Sequence, residues 1–289
     1  MFGMNYLEFL DWAQEIKIIV TTHSENVALV VGTVTIHYLK QLSDEECWLL
    51  FAEHAFKNGN SHKYLDLEVI GKGIVHKCKD LPLAAKTLGG LLRSKEDPRE
   101  WEKILKSDMW DLPEGKSDIL PALRLSYHYL LSHLKRCFAY CLILPKDYEF
   151  RKEDLVLLWM AEDLLQQCKG NARMEERGEW YFDDLVSRSF FLRSSKNESY
   201  FVMHDLVNDL AKFITGEFCF RLEIKESCEI ARKTRHLSYV ITKFDSSRKF
   251  KLSHEAKDLR TFLAIDLTSS WLQYNPTMID NLLLSSKCL

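Results

Sequence analysis

A helical pattern of apolar residues begins near Gln41 and continues with few interruptions to about residue 187. It opens with Ser43-Asp44-Glu45-Glu46, a capping box in which the serine caps the helix and the glutamate bonds back to the serine amide. Apolar residues then recur at helical spacing and are expected to form one stripe facing a core: Trp48, Leu49, Phe51, Ala52, Ala55 and Phe56. A chain dominated by this periodicity folds mainly into α-helices.

More helices are predicted in the same region, over about 64–78, over 81–93 and from 98 onward. Pro82 and Pro98 each stand in the first turn of a predicted helix, where the missing N–H has no partner to lose. Trp101 and Ile104 give the last of these helices its apolar side. Together these segments predict a small helical bundle.

A second helical group begins near residue 117 and ends in a predicted hairpin. Its helices are expected over 134–145, 153–165 and 173–187. Residues 190–195 and 199–205 alternate enough to form two strands, with Lys196-Asn197-Glu198 as the turn between them. Helices followed by a β-hairpin are typical of a winged-helix domain. Beyond residue 222, two more strands are predicted over 234–241 and 259–265.

The N-terminal part contains one segment of a different type, IKIIVTT at 16–22. A compact β-branched run predicts a strand that is buried on both faces of a parallel sheet. Ligands of open α/β sheets bind beyond the carboxyl ends of the strands, which would place Thr21, Thr22 and His23 at a ligand. One strand cannot form a sheet, so we expect an N-terminal part of this domain to be missing.

Charge and cysteine usage narrow the class of protein. The 39 basic and 42 acidic residues give a net charge of −3, which does not suggest nucleic-acid binding. The acidic N-terminus is unlike a signal peptide, and the longest apolar run, 155–161, is too short to span a membrane. The 8 cysteines include no CxxC pair and are expected to be buried thiols in a reducing compartment. We expect a soluble, cytoplasmic protein.

His204 and Asp205 stand side by side between a predicted strand and a predicted helix. Such a pair can be part of a catalytic triad, a metal-ligand pair, a phosphate contact or a helix cap. The chain has neither the GxSxG nor the HExxH motif that would accompany the first two. Capping by Asp205, which would accept from the N–H of Val207 or Asn208, and a phosphate contact both remain open.

Segments in a fixed order resemble plant nucleotide-binding leucine-rich-repeat disease-resistance proteins of the coiled-coil class. They are IKIIVTTHSENVA (16–28), LKQLSDEECWLLFAEHAF (39–56), CKDLPLAAKTLGGLL (78–92), LRLSYHYLLSHLKRCFAYCLILPKDYEF (123–150), LVLLWMAEDLL (155–165), YFVMHDLVNDLAKF (200–213), TRHLSY (234–239) and DLRTFL (258–263). Because the order matches over most of the chain, the resemblance is more specific than any single motif.

The resemblance implies a mainly α fold with four parts. Residues 1–35 would be the C-terminal remnant of an α/β P-loop nucleotide-binding domain, and 36–116 the helical ARC bundle. Residues 117–222 would be a winged-helix domain with the Met-His-Asp motif, and 223–289 a linker and short β-containing lead-in to leucine-rich repeats.

The resemblance also implies a site for ADP or ATP. Its expected contacts are Thr21, Thr22, His23, Pro82, Leu83 and His204. In the family, the equivalent of Pro82 packs against the adenine ring, and the equivalent of His204 reaches the β-phosphate of ADP and locks the inactive state. His23 stands where the family usually has an arginine that senses the γ-phosphate. No metal ligand is implied.

Three departures from the family pattern weaken this site. The phosphate loop GxxxxGK[ST] is absent, since Gly115-Lys116-Ser117 matches only its end and position 110 is Trp110. The aspartate-rich strand that would hold magnesium is absent too, and Asp80 replaces the glycine of the Gly-Leu-Pro-Leu-Ala motif. We therefore predict that this chain by itself binds ADP weakly or not at all.

The implied function is regulatory and not enzymatic: an ADP-linked switch region of an intracellular plant immune receptor. Its partners would be other domains of the full-length receptor and host signalling or pathogen effector proteins. A winged-helix module for nucleic acids is the alternative, favoured slightly by Arg232, Lys233, Arg235, Arg248, Lys249 and Lys251. A nucleotide-free scaffold is another. An active nucleoside triphosphatase is disfavoured by the missing phosphate loop.

Overall fold

The computed structural model describes residues 18–32, 34–56, 64–93, 95–111, 119–166, 173–222, 233–241 and 258–266. Contacts between residues divide the chain into two units, one up to Gln41 and one from Leu42 onward. Within the described ranges, no helix has both the length and the apolar character needed to cross a membrane.

The first unit contains the short helix α1, Glu25–Val31, which Ser24 caps by accepting from the Val27 N–H. A strand is predicted over 16–22. For residues 18–22 this prediction is wrong, since they form no strand and Ile19 is 91% exposed. A buried strand needs neighbours for its backbone N–H and C=O groups. The described residues of this unit contain no second strand to supply them.

The second unit begins with four helices: α2 (Asp44–Ala55), α3 (Leu65–Lys77), α4 (Pro82–Leu92) and α5 (Pro98–Leu105). The predicted capping box is confirmed, because Ser43 Oγ accepts from the Glu46 N–H while the Glu46 carboxylate accepts from the Ser43 N–H. The hydrogen bonds from the Ser43 backbone and side chain lower the pKa of the Glu46 carboxyl below its usual range. A 3₁₀ turn at Asp108–Asp111 follows α5.

The core of the bundle is built around aromatic rings. Trp101 is 1% exposed, and its ring lies 5.8 Å from that of Phe51 and 5.5 Å from that of Phe56. Its indole N–H donates to the Lys95 carbonyl at 2.8 Å. Leu49 was expected in this core but is 68% exposed, because it precedes Phe51 by two residues and so lies roughly 200° away around α2.

The predicted winged-helix domain is confirmed as a set of helices with a small antiparallel sheet. Its elements are α6 (Pro121–His128), α7 (Ser132–Tyr140), a 3₁₀ turn (Cys141–Ile143), β1 (Phe150–Arg151), α8 (Lys152–Ala161), α9 (Met174–Ser187), β2 (Leu192–Arg193), β3 (Tyr200–Val202) and α10 (Asp205–Thr215). Strand order is β1-β3-β2, with Phe201 opposite both Phe150 and Arg193. The two residues of β1 are too few to show an alternating pattern, which is why the sequence did not predict this strand.

A second, parallel sheet follows, with strand order β4-β5-β6. Its strands are β4 (Cys219–Leu222), β5 (His236–Ile241) and β6 (Thr261–Asp266). The structure confirms the predicted strands near 234–241 and 259–265. It adds β4, which pairs Cys219 with His236.

The cysteines within the described residues are buried and free: Cys47, Cys78, Cys137, Cys141 and Cys219. Burial raises the pKa of Cys78, Cys137 and Cys219 to about 12, so these thiols stay protonated at neutral pH. For these five of the 8 cysteines, the expectation of buried thiols is confirmed, and the other three lie outside the described residues. The described residues contain no cluster of histidine, cysteine and carboxylate side chains that could hold a metal ion.

Candidate functional site

The turn between α3 and α4 positions Pro82, the predicted adenine contact. Lys79 and Asp80 have φ values of 50° and 58°, so the chain makes two consecutive left-handed steps before Leu81. The Leu81 N–H then donates to the Cys78 carbonyl at 3.2 Å, which closes the turn. Helix α4 starts directly afterwards at Pro82, as predicted. The left-handed conformation explains why a glycine suits position 80, since a side chain there is strained.

We expect Asp80→Gly to raise the free energy of unfolding by about 0.5–1 kcal/mol. Glycine removes the left-handed strain, although it also adds freedom to the unfolded chain and recovers only part of that energy. Urea denaturation followed by circular dichroism measures the change. Asp66→Gly is the control, because Asp66 lies in the first turn of α3 and glycine there should destabilise. Equal losses in both variants would contradict the strain at Asp80.

Pro82 and Leu83 lie at the border of two apolar cores. Pro82 is exposed, so its ring is open to contact with a ligand. Leu83 is half-buried and packs against the winged-helix core, whereas Leu81 packs against the bundle core. A ligand that contacts Pro82 would therefore touch the first turn of α4, a helix that packs against both cores.

His204 is the N-cap residue of α10. Its backbone is still extended, with φ −58° and ψ 145°, and its Nδ1 accepts from the Leu206 N–H at 3.2 Å. The prediction that Asp205 caps the helix is wrong, because the chain is already helical at Asp205 and only the preceding residue has the extended backbone that a cap requires. Asp205 instead lies in the first turn, where its carboxylate faces the positive end of the helix dipole.

This cap determines which nitrogen of His204 carries the proton. A neutral imidazole has one donor and one acceptor, and Nδ1 is the acceptor here, so Nε2 carries the proton. The side chain is exposed. His204 therefore presents an N–H donor to solvent at a helix N-terminus, a place that favours anions.

Two buried polar residues behind this cap were not predicted. Asn208 is 0% exposed, and its Oδ1 accepts from Nη1 of Arg221 at 3.3 Å. The Asn208 side chain also donates to the Leu144 carbonyl at 3.4 Å. Asn208 stands within the apolar stripe of α10, and a polar residue in such a stripe was the one sequence signal that could have identified it.

Thr21, Thr22 and His23 belong to the first unit and are all exposed. Thr22 Oγ1 accepts from the Ser24 N–H at 3.1 Å, so this hydroxyl helps to shape the turn before α1. Because the described residues before them, 18–20, form no strand, the prediction that they lie at the end of one is wrong. Their contact with a nucleotide stays a prediction.

Helix α9 precedes the β2–β3 hairpin, the position of the DNA-reading helix in winged-helix proteins that bind DNA. Its exposed side chains are Glu175, Glu176, Glu179, Trp180 and Asp183. Lys152 of α8 pairs with Asp183 at 3.0 Å and with Glu179 at 3.9 Å. The carboxylates of Glu175 and Glu176 would face a phosphate backbone. An acidic surface of this kind repels nucleic acid.

Comparisons with known proteins agree with this architecture. Residues 143–211 match the family model described as the winged-helix domain of disease resistance proteins. The RPP13-like disease resistance protein 1 of Arabidopsis thaliana is 46% identical over 264 residues, 91% of this chain and 25% of that protein. Disease resistance protein RGA2 of Solanum bulbocastanum is 46% identical over 197 residues, 68% of this chain and 20% of that protein.

More distant relatives show the same pattern. Disease resistance protein RPM1 of Arabidopsis thaliana is 30% identical over 215 residues, 70% of this chain and 23% of that protein. The chain thus spans a quarter or less of the length of these relatives. The helical bundle, the winged-helix domain at 143–211 and these identities lead to one conclusion: the chain belongs to the family of plant disease-resistance proteins.

Proposed function

We propose that this chain is part of the nucleotide-dependent switch of an intracellular plant immune receptor. Bound ADP would hold the inactive state, with His204 donating to its β-phosphate and Pro82 and Leu83 packing against the adenine. Thr21, Thr22 and His23 would lie near the γ-phosphate position when ATP replaces ADP. The names of the relatives, which describe disease resistance, support the role in plant defence.

The orientation of His204 is the observation that carries this proposal. Its Nδ1 is occupied by the Leu206 N–H, so the exposed Nε2–H can only donate. A phosphate oxygen accepts such a bond, and the helix N-terminus adds favourable electrostatics. An adenine would find the exposed Pro82 ring as an apolar surface.

The proposed mechanism is a shift between two states. ADP would bind the closed arrangement more tightly than the open one, and exchange for ATP would remove that bias and release the winged-helix domain. The chain would act by binding and not by catalysis. Its partners would be the other domains of a full-length receptor, together with signalling or effector proteins, in the cytoplasm.

The nucleic-acid alternative has less support, because α9 exposes carboxylates where a DNA-reading helix would expose basic residues. A binding assay over a series of salt concentrations separates the two functions. Phosphate contacts would give a steep loss of affinity with salt, and we expect no such slope.

Two substitutions at His204 separate its capping from its proposed phosphate contact. His204→Ala removes both, whereas His204→Asn keeps an oxygen that can cap α10 but lacks the reach of the ring. We expect the alanine variant to lose about 1 kcal/mol of stability and the asparagine variant to lose little. Both should retain about 10–100-fold less ADP, the effect of losing a hydrogen bond to a charged group.

ADP retention is measured in full-length RGA2 that carries residues 143–211 of this chain in place of its own segment, since this chain lacks the phosphate loop. Nucleotide released on denaturation is quantified by chromatography. Trp180→Ala, at an exposed residue of α9 inside the transferred segment, is the control and should retain ADP normally. Unchanged ADP in both His204 variants would refute the proposed contact.

For this chain alone we expect little ADP, and near-stoichiometric nucleotide would contradict the weak binding predicted above.

A further inference from the structure

Within the described residues, the parallel sheet meets the winged-helix domain through two separate polar contacts, one buried and one partly buried. The first joins Arg221 of β4 to the segment after α7 and to α10. The second joins His236 of β5 and Thr261 of β6 to Glu162, the residue that follows α8. Only the first of these contacts includes the helix that His204 caps.

Arg221 places a buried guanidinium behind α10. The residue is 8% exposed, and its Nη1 lies 2.8 Å from the Leu144 carbonyl and 3.3 Å from the Leu142 carbonyl. The same nitrogen lies 3.3 Å from Oδ1 of Asn208. A buried charge is held in place by such bonds, because losing them would leave it unsolvated.

Asn208 carries this contact to the cap. Its side chain bonds to both Arg221 and the Leu144 carbonyl, so the amide cannot turn without breaking one of these bonds. Its backbone N–H donates to the His204 carbonyl at 2.9 Å, in the first turn of α10. A continuous series of hydrogen bonds therefore runs from Arg221 in β4 through Asn208 to His204.

The second contact has its own chemistry. His236 Nδ1 lies 2.9 Å from Thr261 Oγ1, whose hydroxyl donates to the Glu162 carboxylate, and the Tyr140 ring packs edge-on at 5.0 Å. Burial lowers the pKa of His236, with Arg235 and Arg260 adding to the effect and Glu162 opposing it. His236 is then neutral at pH 7, and its bonds do not involve α10.

We propose that Arg221 is a positioning residue for His204. The hydrogen bond from Arg221 of β4 to Asn208 holds the first turn of α10 in place. This keeps Nδ1 of His204 on the Leu206 N–H and directs its Nε2 outward. Displacement of the sheet would release this turn and with it the orientation of the imidazole. The consequence for ADP rests on the proposed function, but the coupling between Arg221 and His204 does not.

The test uses the full chain without nucleotide, labelled with ¹⁵N-histidine, with His204→Asn to assign the His204 signals among the 10 histidines. Long-range ¹H–¹⁵N spectra report the tautomer. We expect the Nε2–H form to dominate in the unchanged chain and Arg221→Met to shift His204 toward a mixture of tautomers. Arg221→Lys keeps a charged donor and should restore part of the bias.

His236→Gln is the matched control, since it disturbs the other contact between the sheet and the winged-helix domain. It should leave the His204 spectrum unchanged even where it lowers stability. A wild-type spectrum of His204 in Arg221→Met, or an equal change in His236→Gln, would overturn the proposal.

If Arg221→Met does not fold, amide hydrogen exchange of the unchanged chain decides the question. The amides of Leu206–Asn208 and of β4 should then open together, with the same dependence on denaturant. Separate opening of the two segments would overturn the coupling. Failure of the proposed ADP contact would appear only in the nucleotide measurement, so the two ideas can fail independently.

Discussion

Gly90→Ala is expected to lower the free energy of unfolding by about 2–3 kcal/mol. A Cβ at this position of α4 would lie 2.2 Å from the Ser187 carbonyl oxygen and 2.8 Å from Cα of Arg188. Both are backbone atoms at the end of α9, so no side-chain rotation can relieve the contact. The two helices would have to separate, and α4 carries Pro82 and Leu83. The variant would thus also disturb the proposed adenine contact.

Gly73→Ala in α3 is the matched control for Gly90→Ala. Its Cβ would meet only the flexible Leu105 side chain, at 3.3 Å. Alanine is favoured over glycine within a helix by about 1 kcal/mol, so this variant should be as stable as the unchanged chain or slightly more so. Urea unfolding curves measure both. Equal stability of the Gly90 and Gly73 variants would show that α4 and α9 do not approach as closely as described.

Trp159→Ala should lose about 3–5 kcal/mol, the largest single loss expected in the winged-helix domain. Trp159 is 0% exposed, and its ring lies 6.4 Å from that of Phe182 in α9. Its indole N–H donates to the Cys137 carbonyl of α7 at 3.1 Å. Alanine would leave a cavity between three helices and remove the indole donor from a carbonyl that the Cys141 thiol, a weak donor, also contacts at 3.2 Å. A loss of this size is a large part of the stability of a typical domain.

Trp180→Ala is the matched control for Trp159→Ala, because it makes the same substitution at an exposed position. Trp180 is 75% exposed on α9, so its removal should change the free energy of unfolding by no more than about 0.5 kcal/mol. Chemical denaturation followed by far-UV circular dichroism measures both variants, since each removes one fluorescent tryptophan. Similar losses at the two positions would contradict the burial of Trp159.

Local rules in the sequence were reliable where a few neighbouring residues decide the structure. The Ser43–Glu46 capping box, the start of α4 at Pro82 and the β2–β3 hairpin all formed as predicted. Each depends on hydrogen bonds or fixed dihedral angles within a few residues. The same kind of pattern failed at 16–22, because a strand depends on partner strands that lie elsewhere in a chain.

By itself, the sequence determined the helical bundle and the winged-helix domain, because periodicity and short motifs act over one or two turns. The roles of Pro82 and His204 as nucleotide contacts are implied by the resemblance of their motifs to the family. Only the tertiary structure decided that His204 and not Asp205 caps α10, and so which nitrogen faces outward. It also placed Arg221 and Leu144 against Asn208, from 13 and 64 residues away in the chain. Such contacts have no local signature, since a buried hydrogen bond depends on which distant backbone groups the packing of whole elements brings within reach.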